Sequence, residues 1–160
     1  MSDTAAIAET VRYRERLQVP WWWALPALAL AALIALEVVH GASSLPAWVP
    51  YAVLLPVAAV VLLWLSRYEL RVVQRGGQTE LAVGPAHIPA AVVSRSAVVP
   101  KSAKSAALGR QLDPAAYVVH RPWIGPMVLL VLDDPEDPTP YWLISTRDPD
   151  RVLAEFNAPA

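Results

Sequence analysis

Cysteine is absent from this chain. Disulfides, thiolate catalysis and Cys-ligated zinc are therefore excluded by inventory. No G-x-S-x-G elbow, no P-loop and no GxGxxG after a strand occurs. Those are the backbone devices that present a nucleophile or cradle a phosphate. Histidine is scarce: His40, His87 and His120, none in an HxH, HxxxH or HExxH spacing. Such spacings let two imidazoles reach one metal ion. A net charge of −1 leaves no basic field for nucleic acid. Ser and Asp suffice for a triad by number alone, but nothing in their spacing marks one. The expectation is a non-enzymatic chain with no cofactor, no metal and no nucleic-acid partner.

Charge is also missing from one long region. Between Trp21 and Leu65 the only charged side chain is Glu37. Hydrophobic residues make up 56% of the chain, against about 45–50% in a soluble domain. The excess lies mostly in two runs. "WWWALPALALAALIALEVV" covers Trp21 to Val39, 19 residues; as a helix it is roughly 28 Å long, close to a hydrocarbon core of about 30 Å. "WVPYAVLLPVAAVVLLWL" covers Trp48 to Leu65 without any charge. Both read as transmembrane helices joined in a hairpin.

The flanks agree with that reading. Trp21, Trp22, Trp23 and Trp64 mark one membrane interface, and Trp48 and Tyr51 the other. Pro20 and Pro50 fall where a missing N–H costs little, and Pro56 is expected to kink the second span. Arg12, Arg14 and Arg16 precede the first span; Arg67, Arg71 and Arg75 follow the second. The connection from His40 to Ala47 has neither Lys nor Arg. Both termini are therefore expected on the cytoplasmic side of the cell membrane. A signal peptide is the competing reading of the first run. Its length and the poor cleavage site in "HGASS" disfavour that, and the second span would hold the C-terminal part inside in either case.

Ala27, Ala31 and Ala35 recur every four residues, a stripe that lets helices approach closely. Glu37 and His40 share a helix face. Glu37 is an intramembrane acid in principle, but it is within a turn of the helix end, and interfacial solvation is the reading adopted.

After Tyr68 the apolar period changes from helical to two. "YELRVVQ" and "TELAV" flank Gly76–Gly77 and read as a hairpin. "AHIPAAVV", "AAYVVHRPW", "MVLLVL" and "YWLIST" read as further strands. "SAKSAALGR" is a polar loop with a short helical turn. "DDPEDPTP" places Asp133, Asp134, Glu136 and Asp137 in a turn-rich loop that reads as solvated, without the spacing of an EF-hand. Asp148 is suited to cap a last helix with Pro149 at its first position and Val152, Leu153 and Phe156 on one face. The division is an N-terminal segment at 1–19, a transmembrane hairpin at 20–66 and an independent β-rich domain at 67–160. No internal repeat is visible.

"YRERLQVPWWW", "LAVGPAHIP", "HRPW" and "PTPYWLISTRDP" resemble the DUF3093 family of actinobacterial membrane proteins, over about Tyr13 to Phe156. The resemblance implies two transmembrane helices and no established activity. The order of elements also resembles bacterial pleckstrin-homology-like membrane proteins. That implies an α+β membrane protein: a helix hairpin followed by a small antiparallel half-barrel with a C-terminal capping helix.

Three sets of residues are candidates for function. Arg121, Trp123, Tyr141, Trp142 and Arg147 combine aromatics with Arg on strands expected to be neighbours, a hot-spot composition that is also ordinary for a sheet core. Lys101, Lys104 and Arg110 share a polar loop suited to anionic lipid. The alanine stripe is a candidate helix-packing face. The expected function is a membrane-tethered recognition or scaffold module at the inner face of the bilayer. The alternative is an accessory subunit of a larger membrane complex, with a protein partner or a second copy held through the helices.

Overall fold

The computed structural model describes residues 9–41, 44–135 and 137–158; Ala42 and Ser43 of the interhelical connection, Glu136 of the acidic loop and the terminal Ala160 lie outside them. The chain forms two units. One runs through Leu17 and resumes at Glu69, and the other is Gln18–Tyr68.

The second unit is the pair of apolar runs. A 3-10 turn at Trp21–Trp23 leads into α1, Ala24–Gly41, and α2 is Trp48–Leu65. Both are long and apolar enough to cross a membrane, with mean hydropathies of 2.0 and 2.2. Ala31 and Ala35 are buried where α1 packs on α2, and Ala27 is half-buried. The alanine stripe thus packs inside the hairpin: small side chains bring the two backbones close. Apart from Pro50, the rest of these helices is exposed or half-buried, with Leu25, Leu33, Val53, Val60 and Leu63 among the exposed side chains. Pro56 lies inside α2 and Pro50 in its first turn.

The first unit begins with a strand that the sequence reading did not anticipate. β1, Glu9–Arg16, pairs antiparallel with β2, Glu69–Arg75, so that Arg16 faces Glu69 across the strands. The residues before α1 are therefore not a separate segment but the edge strand of the β-rich unit. β2 turns at Gly76 and Gly77, whose φ of 58° and 83° suit a hairpin turn that needs both central residues left-handed. β3, Gln78–Val83, and β4, Ala86–Pro89, follow, and the sheet has the order β1-β2-β3-β4. One face buries Leu70, Val72, Leu81, Val83 and Ile88.

The other sheet starts with β5, Val93–Val99, also unanticipated. A loop with the short helix α3, Lys104–Ala107, leads to β6, Tyr117–Val119; β7, Met127–Leu132, and β8, Tyr141–Ser145, complete it in the order β5-β7-β8-β6. β6 runs parallel to β8, unlike the all-antiparallel expectation. It enters the sheet from a long loop rather than a tight turn, the kind of connection that permits parallel pairing. Val128, Leu130, Trp142 and Ile144 are buried here.

The C-terminal helix α4, Pro149–Asn157, starts as its sequence dictates. The Asp148 carboxylate accepts a hydrogen bond from the Arg151 N–H at 3.2 Å, with Pro149 in the first turn. Val152 and Phe156 are buried, and α4 touches strands of both sheets.

Two outcomes follow from this packing. Phe156→Ala removes a buried ring at the point where both sheets meet α4 and is expected to cost about 3–5 kcal/mol, a large share of the roughly 5–15 kcal/mol of a small domain. The measurement is the melting temperature, and an unchanged melt would contradict the packing described. Replacing residues 18–68 by a short Gly-containing turn should join β1 directly to β2 and give a soluble chain with a β-rich circular dichroism spectrum. A chain that begins at Tyr68, lacking β1, should melt well below it.

Candidate functional site

The polar centre of the β-rich unit is Glu15, a carboxylate only 9% exposed. It sits on β1 opposite Leu70 and is satisfied entirely from within the chain. The Thr146 hydroxyl donates to Oε2 at 2.5 Å, and the Tyr13 hydroxyl donates to the same oxygen at 3.2 Å. The Arg147 backbone N–H donates to Oε1 at 2.9 Å, and the Arg147 guanidinium lies 3.4 Å from it. That guanidinium also donates to the Arg16 carbonyl at 2.8 Å. A buried carboxylate must be paired and hydrogen-bonded to persist, and here β1 is tied to the β8–α4 junction in doing so. Burial, and then the Glu15 charge, push the Tyr13 phenol from 10.0 up to about 12.

Among the anticipated surface residues, Arg147 thus belongs to this internal cluster. Trp142 is buried and packs on Tyr117, ring centroids 4.4 Å apart. The Tyr141 hydroxyl accepts from the Asp113 N–H at 2.8 Å and donates to the Gln111 carbonyl at 3.3 Å, holding the loop before β6. Arg121 and Trp123 do lie together. The guanidinium is 5.8 Å from the centre of the Trp123 ring, a cation–π distance. The "HRPW" and "PYWLISTR" motifs are neighbours as expected: β6 pairs with β8, and the Arg121 N–H donates to the buried Ser145 hydroxyl at 3.0 Å. Tyr141 and Arg147, however, flank opposite ends of β8. The five residues do not form one surface.

The loop cations also divide. The Lys104 ammonium donates to the Arg121 carbonyl at 3.0 Å and to the Ile124 carbonyl. Burial lowers its affinity for a proton. Burial, with the charges of Lys104 and Arg121, likewise holds the His120 imidazole below its usual range. The Lys101 stem lies against Gly125, where a Cβ would come within 3.2 Å of it. Arg110 is exposed.

The outward face of the first sheet carries ion pairs. Arg14 binds Glu69, and Arg75 lies 2.9 Å from Glu9 and 3.8 Å from Glu80. The Arg14 guanidinium holds the Glu69 carboxyl below the usual range. In the helical unit, His40 Nδ1 is 2.8 Å from the Leu36 carbonyl, on the last turn of α1, and Glu37 is exposed. Among the described residues no group of three His, Asp or Glu side chains converges as a metal site would.

A family model described as a protein of unknown function, DUF3093, matches residues 12–156. No curated protein and no solved structure matches the chain.

The Glu15 cluster has measurable consequences. Glu15→Ala should cost about 1.5–3 kcal/mol, the range for a lost hydrogen bond to a charged group. Arg147→Ala should also destabilise, whereas a freely solvated Arg would change stability by no more than about 0.5 kcal/mol. The raised Tyr13 pKa favours the protonated phenol in the folded state. Its contribution to stability is complete below pH 10 and is lost as pH rises toward about 12. Chemical denaturation between pH 9 and 12, compared with Tyr13→Phe, should show a loss in the native chain that the variant lacks. Parallel curves would refute it.

Proposed function

We propose that this chain, which belongs to the DUF3093 family, is a membrane-anchored recognition module: its helix pair crosses the cell membrane twice, and its β-rich unit stands at the cytoplasmic face. The observation that carries the reading is the pairing of β1 with β2 around two exposed apolar helices. Arg16 lies just before the helical unit and Glu69 just after it, and the two are partners across the strands. A chain that crossed the bilayer an odd number of times would put them on opposite sides. Two crossings return the chain to its sheet.

Two further observations support it. Only 11% and 6% of the apolar windows of α1 and α2 is buried. A water-soluble monomer rarely exposes a contiguous apolar patch beyond a few hundred Å², and a bilayer removes that cost. Trp21, Trp48 and Trp64 are exposed at helix ends, where indoles favour the headgroup region. Orientation follows from the arginines on both flanks and their absence from the connection.

The reading as a recognition module rests on architecture. A four-stranded meander, the antiparallel run β5-β7-β8 and a helix touching both sheets follow the plan of a pleckstrin-homology-like half-barrel, with β6 as an addition. In that reading the turn at exposed Pro122, between the half-buried Arg121 and Trp123, is a contact point for a partner. An accessory-subunit role would have to use helix faces other than the alanine stripe, which is occupied within the hairpin.

Fusions test the topology. A reporter placed after Ala160 should be active only in the cytoplasm, and one inserted at Ser43 only outside. Activity of the C-terminal fusion outside the cell would overturn the proposal. Affinity purification in mild detergent separates the two roles. A stoichiometric membrane-embedded partner, lost when the outer helix faces are altered, would favour the accessory subunit.

A further inference from the structure

The outward face of the β5-β7-β8 sheet is apolar where a solvated sheet face would be polar. Leu129 pairs with Leu143 and Val131 with Tyr141 across β7 and β8, so these four side chains share one face. Over that face lies the loop that contains α3. It is fastened at both ends. Lys104 grips the carbonyls of Arg121 and Ile124 on one side. The Tyr141 hydroxyl holds Asp113 and Gln111 on the other. Between these fastenings the loop presents alanine, "SAKSAALG", with Ala107 turned toward the sheet. Small side chains under a pinned loop leave a space, and a slot of about 350 Å³ lies there.

That volume falls at the lower end of small-molecule sites, about 300–1,000 Å³. It holds on the order of a dozen water-sized groups at roughly 30 Å³ each. Water is a poor occupant of a floor made by Leu129, Val131 and Leu143, because it needs several polar partners. Arg95, one strand over and opposite Val131, stands at the slot with its side chain exposed. Among the described residues it pairs with no acid, unlike Arg14, Arg75 and Arg147.

We infer that this slot is a binding site for a single-chain carboxylate: an apolar chain of about ten carbons lies between Ala107 and the Leu129–Leu143 floor, and its carboxylate meets Arg95 beside Gln111. The chemistry selects this class. The floor offers an alkyl chain a dry contact, and the guanidinium fork matches the two carboxylate oxygens. The size argues for one chain rather than the two of a phospholipid. The site stands whether or not the helices cross a membrane, because every residue of it belongs to the β-rich unit.

The test uses the full chain in lipid nanodiscs and a decanoate bearing a photoreactive diazirine at its far end, with the matching decanol and decylamine. After irradiation, peptides are mapped by mass spectrometry. The decanoate probe should label the peptides carrying Leu129 and Leu143 in a saturable way. Arg95→Gln should raise the half-saturating concentration of the acid about tenfold, from loss of a charge-assisted hydrogen bond, and leave that of the alcohol unchanged. Arg95→Glu should reverse the preference toward the amine, an effect no loss of folding produces. Ala107→Phe should abolish labelling of the slot, with its melting temperature recorded as a control. Equal labelling by acid, alcohol and amine in every variant would overturn the inference. So would adducts confined to residues 18–68. Slot labelling that falls as protein concentration rises would assign the face to a second copy and overturn it equally.

Discussion

A single buried carboxylate organises the β-rich unit. Glu15 would be costly to desolvate alone, and it is tolerated because Tyr13, Thr146 and Arg147 supply donors from three directions. The carboxylate and its donors come from opposite ends of the sequence: Glu15 and Tyr13 precede the helices, whereas Thr146 and Arg147 lie between the last strand and α4. The same ion pair therefore fixes the edge strand and the entry to the closing helix. Arg12 repeats the logic, reaching Gln74 on β2 and the Ala158 carbonyl just beyond α4. Each contact is modest. Their joint effect is to fasten an N-terminal strand to the C-terminal end of the fold.

That fastening constrains the helical unit. If the helices cross a bilayer, antiparallel pairing of Arg16 with Glu69 allows only an even number of crossings between them. Two helices joined by a short connection satisfy that with the least chain. The buried alanines at 31 and 35 let α1 and α2 approach closely within the hairpin.

How much of this was legible in the sequence depends on whether the cause was local. The Asp148–Pro149 cap, the Gly76–Gly77 turn and the two apolar helices each follow from a few adjacent residues, and each appears where the residues place it. β1 does not. "ETVRYRER" alternates, but its charges read as a flank of the first helix, and its partner strand lies about fifty residues on, beyond Gln18–Tyr68. β5, "VSRSAVV", is an edge strand whose Ser and Arg residues mask its period, as edge strands commonly do. The placement of the candidate residues follows the same distinction. Trp142 and Arg147 look like a hot spot by composition, yet Trp142 is buried in the sheet and Arg147 is bound to a carboxylate distant in sequence. Arg121 and Trp123 stay together because a single residue, Pro122, separates them in sequence. The slot beneath α3 was not legible, because Arg95 and Val131 meet only through strand pairing.

The order of assembly follows from the same geometry. Closing β1 on β2 across about fifty flexible residues would carry the entropy of a long loop, which grows as the logarithm of its length. A preformed hairpin removes most of that cost, because its two ends already lie close together. The sheet can then close on strands delivered to the same place, and Glu15 meets Thr146 only after β8 has formed. If the helices enter a bilayer first, the β-rich unit cannot complete itself until the second helix has returned the chain. In that case the flanking arginines serve twice, favouring one side of the membrane for the ends of the hairpin, with Arg14 and Arg75 pairing with Glu69 and Glu9 once the strands arrive.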